Sequence, residues 1–172
     1  MTLNVGIIGL GVGEKHIEGY EKNNSCKVVA ICDKDEKKLR EVSDRYPSKN
    51  SLRNPDKILF DPTIDVVSIA TYDNSHCDLI EKAIKNRKHI FVEKPLCLNK
   101  NEYEIICKLL LNNNNLNLSS NLILRKTPRF ISLKDKIDKG VLGLPYYIEG
   151  DYDYGRINKI LEGWRGQIPN YS

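Results

Sequence analysis

Val5-Gly6-Ile7-Ile8-Gly9-Leu10-Gly11-Val12-Gly13 is an apolar run that ends in a cluster of glycines, and its reading decides the fold. A short apolar run of this kind predicts a buried strand. The glycines at its end mark a place where the chain turns sharply and lets a phosphate approach the backbone. A helix that follows such a turn offers free N–H groups and the positive end of its dipole to a pyrophosphate. The spacing departs from G-x-G-x-x-G: the sixth position is Glu14, and the third glycine stands one residue early at Gly13. A shorter turn lets Gly13 serve the close contact between helix and strand, provided that the Glu14 carboxylate points away from the phosphates. The residues placed at the phosphates are Gly9, Leu10, Gly11, Val12 and Gly13.

The neighbouring sequence decides between a phosphate cradle and a plain tight turn. A second apolar run, Lys27 to Ile31, leads to Asp33, about 20 residues beyond the loop, where an acidic side chain accepts hydrogen bonds from the adenosine ribose. Asp33 repels a 2′-phosphate and so favours NAD over NADP, although Lys34 beside it partly compensates and keeps NADP in view. S-adenosylmethionine methyltransferases share a GxGxG loop but place an acid two residues before the first glycine. Ile7 occupies that position here.

Farther along, apolar runs alternate with amphipathic segments, the pattern of a parallel sheet covered by helices on both faces. The runs are Leu3 to Ile8, Lys27 to Ile31, Asp65 to Ala70, Lys88 to Val92 and Leu116 to Leu124. Helices are expected over Lys34 to Tyr46, stopped by Pro47; after Asn54-Pro55, with Ile58 and Leu59 inward; after a Ser75 cap, burying Leu79, Ile80, Ala83 and Ile84; and after Asn99, which forms a capping box with Glu102. The Asn112 to Asn115 run reads as a loop. Thr127-Pro128 opens a further amphipathic helix through Phe130, Leu133 and Ile137, ended by Gly140, and Tyr146 to Tyr154 alternates as a strand. The fold class is therefore α/β, a Rossmann-type doubly wound parallel sheet over residues 1–124. Residues 125–172 are expected to be the incomplete start of an α+β second domain.

The 172 residues are 40% hydrophobic and 29% charged, ordinary globular values. A net charge of +4, with Lys and Arg interleaved among Asp and Glu, argues against a nucleic-acid partner. Five cysteines without CxxC spacing suggest buried thiols in a reducing cytoplasm, neither a disulfide framework nor a metal site. The N-terminus has no basic region, and its apolar run is broken by glycines, so neither a signal peptide nor a membrane span is expected.

From Asp65 onward the residues become specific. Asp65-Val66-Val67-Ser68-Ile69-Ala70-Thr71, then Asn74 and His76, then Lys88-His89-Ile90-Phe91-Val92-Glu93-Lys94-Pro95 resemble the Gfo/Idh/MocA family of NAD(P)-dependent oxidoreductases. In that family a IATP-like strand end is followed by N-x-x-H, and an EKP tripeptide closes the next strand. The match runs from residue 3 to about residue 165, with Tyr72 where proline is usual. The resemblance implies oxidoreduction of a sugar, cyclitol or nucleotide sugar. Lys94, desolvated beside the nicotinamide, would be the proton donor or acceptor for the substrate oxygen. Pro95 would hold its preceding peptide cis and aim Lys94 into the cleft, and Glu93 would face the nicotinamide ribose. Ala70, Thr71, Tyr72 and Asn74 would line the dinucleotide channel, with His76 packed at the start of its helix near the cofactor. Asn121 and Arg125, near the end of the last strand, and the Trp164-Arg165 pair would also approach the cofactor. His16 reads as a first-turn helix residue and His89 as structural.

Relatives in that family continue with an Asp-x-x-x-His segment on an open antiparallel sheet that forms the substrate pocket and often an oligomer interface. None of this is found in the sequence, which is therefore expected to be a truncated oxidoreductase, or alternatively a catalytically silent dinucleotide-binding protein or subunit. A small sugar-like substrate and homo-oligomerisation through the complete second domain are the expected partners.

Overall fold

The computed structural model describes residues 2–153 together with positions 155, 158 and 161. The chain divides into two compact units, one built on Met1–Asn121 and the other on Leu122–Ile168. In the first, six strands form one sheet in the order β3-β2-β1-β4-β5-β6, and every neighbouring pair is parallel. The strands are β1 (Leu3–Ile8), β2 (Cys26–Cys32), β3 (Asn50–Leu52), β4 (Val66–Ile69), β5 (His89–Val92) and β6 (Leu118–Ser120). Between them run α1 (Glu14–Glu21), α2 (Glu36–Arg45), α3 (Asp56–Leu59), α4 (His76–Lys85) and α5 (Lys100–Leu111). The sheet is doubly wound: the chain moves outward through β2 and β3, then returns to the other side of β1 through β4. The strand ends on either side of that β1/β4 reversal form the crevice in which such folds bind ligands.

Two apolar clusters sandwich the sheet. Val5, Ile7, Val28 and Ile31 join Ile17 of α1 and Leu39 and Val42 of α2. On the opposite face, Ile8, Val67, Ile69, Ile90 and Val92 join Ile58 and Leu59 of α3, Leu79, Ile80, Ala83 and Ile84 of α4 and Ile106 of α5. Each fully buried aliphatic side chain contributes about 1.5–3 kcal/mol, so these clusters hold the strand ends in register. A one-residue bulge interrupts the β1–β2 ladder, where Val5 pairs with Val28 but Gly6 pairs with Ala30. Val28 and Ile31 therefore share a face although two residues separate them.

Local signals account for most helix ends. Asp35 accepts from Lys38 N at 3.1 Å and opens α2, and Asn54 Oδ1 accepts from Asp56 N at the start of α3. Asn99 accepts from Glu102 N at 3.0 Å, while Glu102 reaches back to Leu98 N, one residue earlier than in the standard capping box. Ser75 is not a side-chain cap. Its hydroxyl bonds Thr71 Oγ1 and Tyr72 O, because a 3₁₀ turn at Asp73–Ser75 precedes α4.

Four differences from the sequence expectations concern the sheet, its cysteines and the second unit. β3 had no apolar run to announce it, being a polar three-residue edge strand. The last run forms a strand only at Leu118–Ser120; Ile123–Lys126 turn into a 3₁₀ helix, so Arg125 stands beyond the strand. Only Cys32 among the five free cysteines is buried; burial and the neighbouring Asp33 charge push its thiol up to about 12. In the second unit, α6 (Pro128–Asp138) forms and Gly140 follows it at φ +69°. Residues 146–153 adopt no regular secondary structure, and Tyr154, the end of the expected strand, lies outside the described residues. No described helix is long and apolar enough to cross a membrane.

Candidate functional site

The glycine turn at the end of β1 is built from close approaches. Gly9 sits at φ +88°, and a Cβ there would collide with the Ala70 carbonyl at the end of β4. A Cβ on Gly13 would strike the Gly9 carbonyl oxygen and lie 3.0 Å from Ala70 Cβ. Gly13 therefore makes the close contact between helix and strand, which accommodates the shortened spacing. Nothing lies within 4 Å of a Cβ placed on Gly11, so this side of the turn is open. Leu10 turns its side chain into the core, whereas Val12 is exposed. Among the described residues, the N–H groups of Gly11, Val12 and Gly13 have no acceptor in the protein, and no side chain caps α1. Unpaired donors at an uncapped helix start are the means by which backbone holds an anion.

Glu14, which could have opposed an anion, is drawn away by α2. Its carboxylate bonds Lys38 Nζ at 3.0 Å and Arg45 Nε at 2.8 Å. Partial burial works to raise its pKa, and the Lys38 and Arg45 bonds outweigh that, holding it below the usual carboxylate range.

Asp33 follows β2 directly. Its Oδ2 accepts from Leu10 N at 2.7 Å and its Oδ1 from Asp35 N at 2.9 Å, so one carboxylate pins the glycine turn and opens the next loop. Lys34 extends over the Tyr72 ring, with Nζ 5.2 Å from the centroid, linking the loops after β2 and β4. Thr71 and the half-exposed Tyr72 lie in that second loop, with Asn74 exposed on the 3₁₀ turn.

At the end of β5 the Lys94–Pro95 peptide is cis. His76 is fully buried; its Nδ1 donates to Pro95 O at 2.7 Å, and its Nε2 lies 3.3 Å from Thr71 O. The ring thus ties the β4 loop to the Glu93-Lys94-Pro95 corner. Lys94 is exposed. Glu93 Oε1 accepts from Asn121 Nδ2 at 2.7 Å and faces His16 Nε2 at 3.1 Å. Burial alone would raise Glu93, but the bonds to His16 and Asn121 prevail and lower it below the usual range.

One edge of the sheet therefore brings together Gly9–Gly13, Asp33, Lys34, Ala70–Tyr72, Asn74, Glu93–Pro95 and Asn121, with His76 beneath them. Arg125 falls in the second unit, and Trp164 and Arg165 lie outside the described residues. Sequence reasoning placed His16 only as a helix residue; the spacing carries no sign of its bonds to Ser68 and Glu93, 52 and 77 residues away. His89 is structural, accepting from Asn117 N at 3.1 Å. Among the described residues, no group of His, Cys, Asp and Glu could hold a metal.

Residues 3–121 match the family described as "Oxidoreductase family, NAD-binding Rossmann fold" (Gfo/Idh/MocA). The chain is 28% identical over 147 residues to myo-inositol 2-dehydrogenase of Thermotoga maritima, covering 85% of this chain and 44% of that protein. It is 30% identical over 156 residues to scyllo-inositol 2-dehydrogenase (NAD(+)) of Bacillus subtilis, covering 84% and 42%. The crystal structure of scyllo-inositol dehydrogenase from Lactobacillus casei with bound NAD(H) and scyllo-inositol superposes with a TM-score of 0.78 at 25% identity, over 83% of this chain and 43% of that one. The chain spans under half the length of these relatives.

Proposed function

The chain belongs to the Gfo/Idh/MocA oxidoreductases, a family with an NAD-binding Rossmann fold, and from that premise we propose that it binds NAD(H) and transfers hydride between the nicotinamide and a sugar or cyclitol. The observation that carries the reading is one sheet edge holding both the open glycine turn, with three unpaired N–H groups, and the exposed Lys94. The residues present fit a dinucleotide. Gly9–Gly13 would hold the pyrophosphate, Asp33 and Lys34 the adenosine end, Ala70, Thr71, Tyr72 and Asn74 the channel, and Glu93, Pro95 and Asn121 the nicotinamide end. Asp33 places a negative charge where a 2′-phosphate would go, which favours NAD over NADP.

When bound, the nicotinamide carries the two electrons as hydride. The protein's own part is the proton. In oxidation Lys94 Nζ, as the neutral amine, would take the hydroxyl proton and become the ammonium, and in reduction the ammonium would return that proton to the carbonyl oxygen. Among the described residues no hydrogen bond occupies Lys94 Nζ, so the nitrogen is available to a substrate oxygen. The inositol dehydrogenases among the relatives support a polyhydroxylated ring as substrate.

Titration calorimetry with NAD⁺ and NADP⁺ tests the binding: NAD⁺ binds, NADP⁺ binds more weakly, and absence of binding by either overturns the proposal. Lys94→Ala is expected to retain NADH and to slow reduction of a keto-inositol by about 100-fold or more; an unchanged rate would remove Lys94 from the mechanism. NADH binding without turnover by the unaltered chain would favour the catalytically silent dinucleotide-binding protein.

A further inference from the structure

We propose that His16 is a positioning residue that ties the Glu93–Lys94 corner to the glycine turn, an assignment that rests on the hydride-transfer function proposed above. His16 stands on the first turn of α1, three residues beyond Gly13, and its side chain is 11% exposed. Both ring nitrogens are engaged: Nδ1 with the Ser68 hydroxyl at 2.9 Å and Nε2 with Glu93 Oε1 at 3.1 Å. Ser68, on β4, is fully buried, and burial pushes the neighbouring Tyr20 phenol up to about 12. The Phe91 ring meets the imidazole edge-on, with centroids 5.3 Å apart and planes at 74°.

A neutral ring with its proton on Nε2 satisfies both partners. Ser68 O–H donates to His16 Nδ1, and His16 Nε2–H donates to Glu93 Oε1, which also accepts from Asn121. The opposite tautomer would set the Nε2 lone pair against a carboxylate, so the partners keep a proton on Nε2. Glu93 in turn engages the Lys94 peptide N–H. A continuous chain therefore runs from α1 to the proposed proton-transferring lysine, and α1 begins at the turn that would hold the pyrophosphate. The two ends of the dinucleotide site are thereby held at a set separation. Without His16, Glu93 keeps Asn121 but loses its tie to α1, and Lys94 is free to shift; misplacement by about 1 Å costs about 100-fold in rate.

His16→Ala and His16→Gln separate this role from simple packing. The Gln amide can donate to Glu93 and accept from Ser68 at nearly the same positions as the two ring nitrogens. In the chain labelled with ¹³C-glutamate, His16→Ala is expected to raise the Glu93 carboxyl midpoint towards the ordinary range, and His16→Gln to restore most of the depression. In keto-inositol reduction by NADH, His16→Ala should lower kcat by about 100-fold with little change in KM, and His16→Gln should recover about tenfold of it. Ser68→Ala provides the same measurements if His16→Ala does not fold, with smaller shifts in the same direction. A Glu93 midpoint unmoved in His16→Ala, or in Ser68→Ala in its place, overturns the proposal, as does a Gln variant no better than Ala. If the unaltered chain binds no NADH, the proposed function fails, while the Glu93 titration still decides whether His16 controls that carboxylate.

Discussion

Met1–Asn121 and Leu122–Ile168 treat apolar side chains in opposite ways. In the first unit Ile17, Ile58, Ile80, Ile84 and Ile106 are all but fully buried, because a six-stranded sheet gives each helix a face to cover. In the second, α6 carries Phe130, Ile131 and Leu133 at 36%, 50% and 44% exposure, and none of its residues is buried. Both helices start at a polar residue followed by proline, Thr127-Pro128 for α6 and Asn54-Pro55 for α3, although only Asn54 accepts from a helix N–H. What differs, among the described residues, is a partner surface. Amphipathic pattern specifies which side of a helix is apolar, and only a sheet or a second helix turns that pattern into stability.

The largest test of this contrast is to separate the units. Residues 1–121 expressed alone are expected to melt in one cooperative transition, and residues 122–172 alone to show none by circular dichroism; a cooperative transition in the second piece would break the comparison. A matched pair of glycines sharpens it. Gly9→Ala puts a Cβ at φ +88° into the Ala70 carbonyl and should cost about 3 kcal/mol or more. Gly143→Ala, at φ +67° with open space around it, lies in the unit expected to unfold without cooperativity and should leave the chain's transition almost unmoved. Chemical denaturation of the two variants measures both, and equal losses would show that the positive φ, not the crowding, governs. The smallest effect is with acid. Glu14 and Glu93 hold their protons more weakly in the folded chain than in the unfolded one. Their contribution is therefore present above the ordinary carboxylate range and is lost as pH falls through their lowered values. Melting curves between neutral pH and pH about 3 should show a smaller acid-induced drop for Glu14→Gln than for the unaltered chain.

Features confined to a few consecutive residues could be read from the sequence, while those assembled across the sheet could not. β1, β2, β4 and β5 announce themselves as apolar runs because both of their faces are buried. β3 is invisible in Asn50–Leu52 because an edge strand needs one neighbour and no core. The strand expected after Tyr146 is absent from residues 146–153: alternation by itself supplies no neighbour to pair with. At the candidate site, Gly9, Asp33 and Lys94 belong to short motifs whose chemistry is local. The His16–Ser68–Glu93 connection joins three separate motifs, each satisfied by another explanation when taken alone, and only the parallel register of β1, β4 and β5 brings them within bonding distance.

The bond from Asp33 to Leu10 N has a bearing on how such a protein can diversify. The residue that would choose between cofactors also holds the turn that would receive them, so the two properties cannot be altered independently. A substitution at Asp33 made to admit a 2′-phosphate releases the Leu10 amide and the start of the following loop at the same moment. A change of cofactor preference in this scaffold therefore starts from a loosened turn, and a second substitution that restores an acceptor for Leu10 must accompany the first.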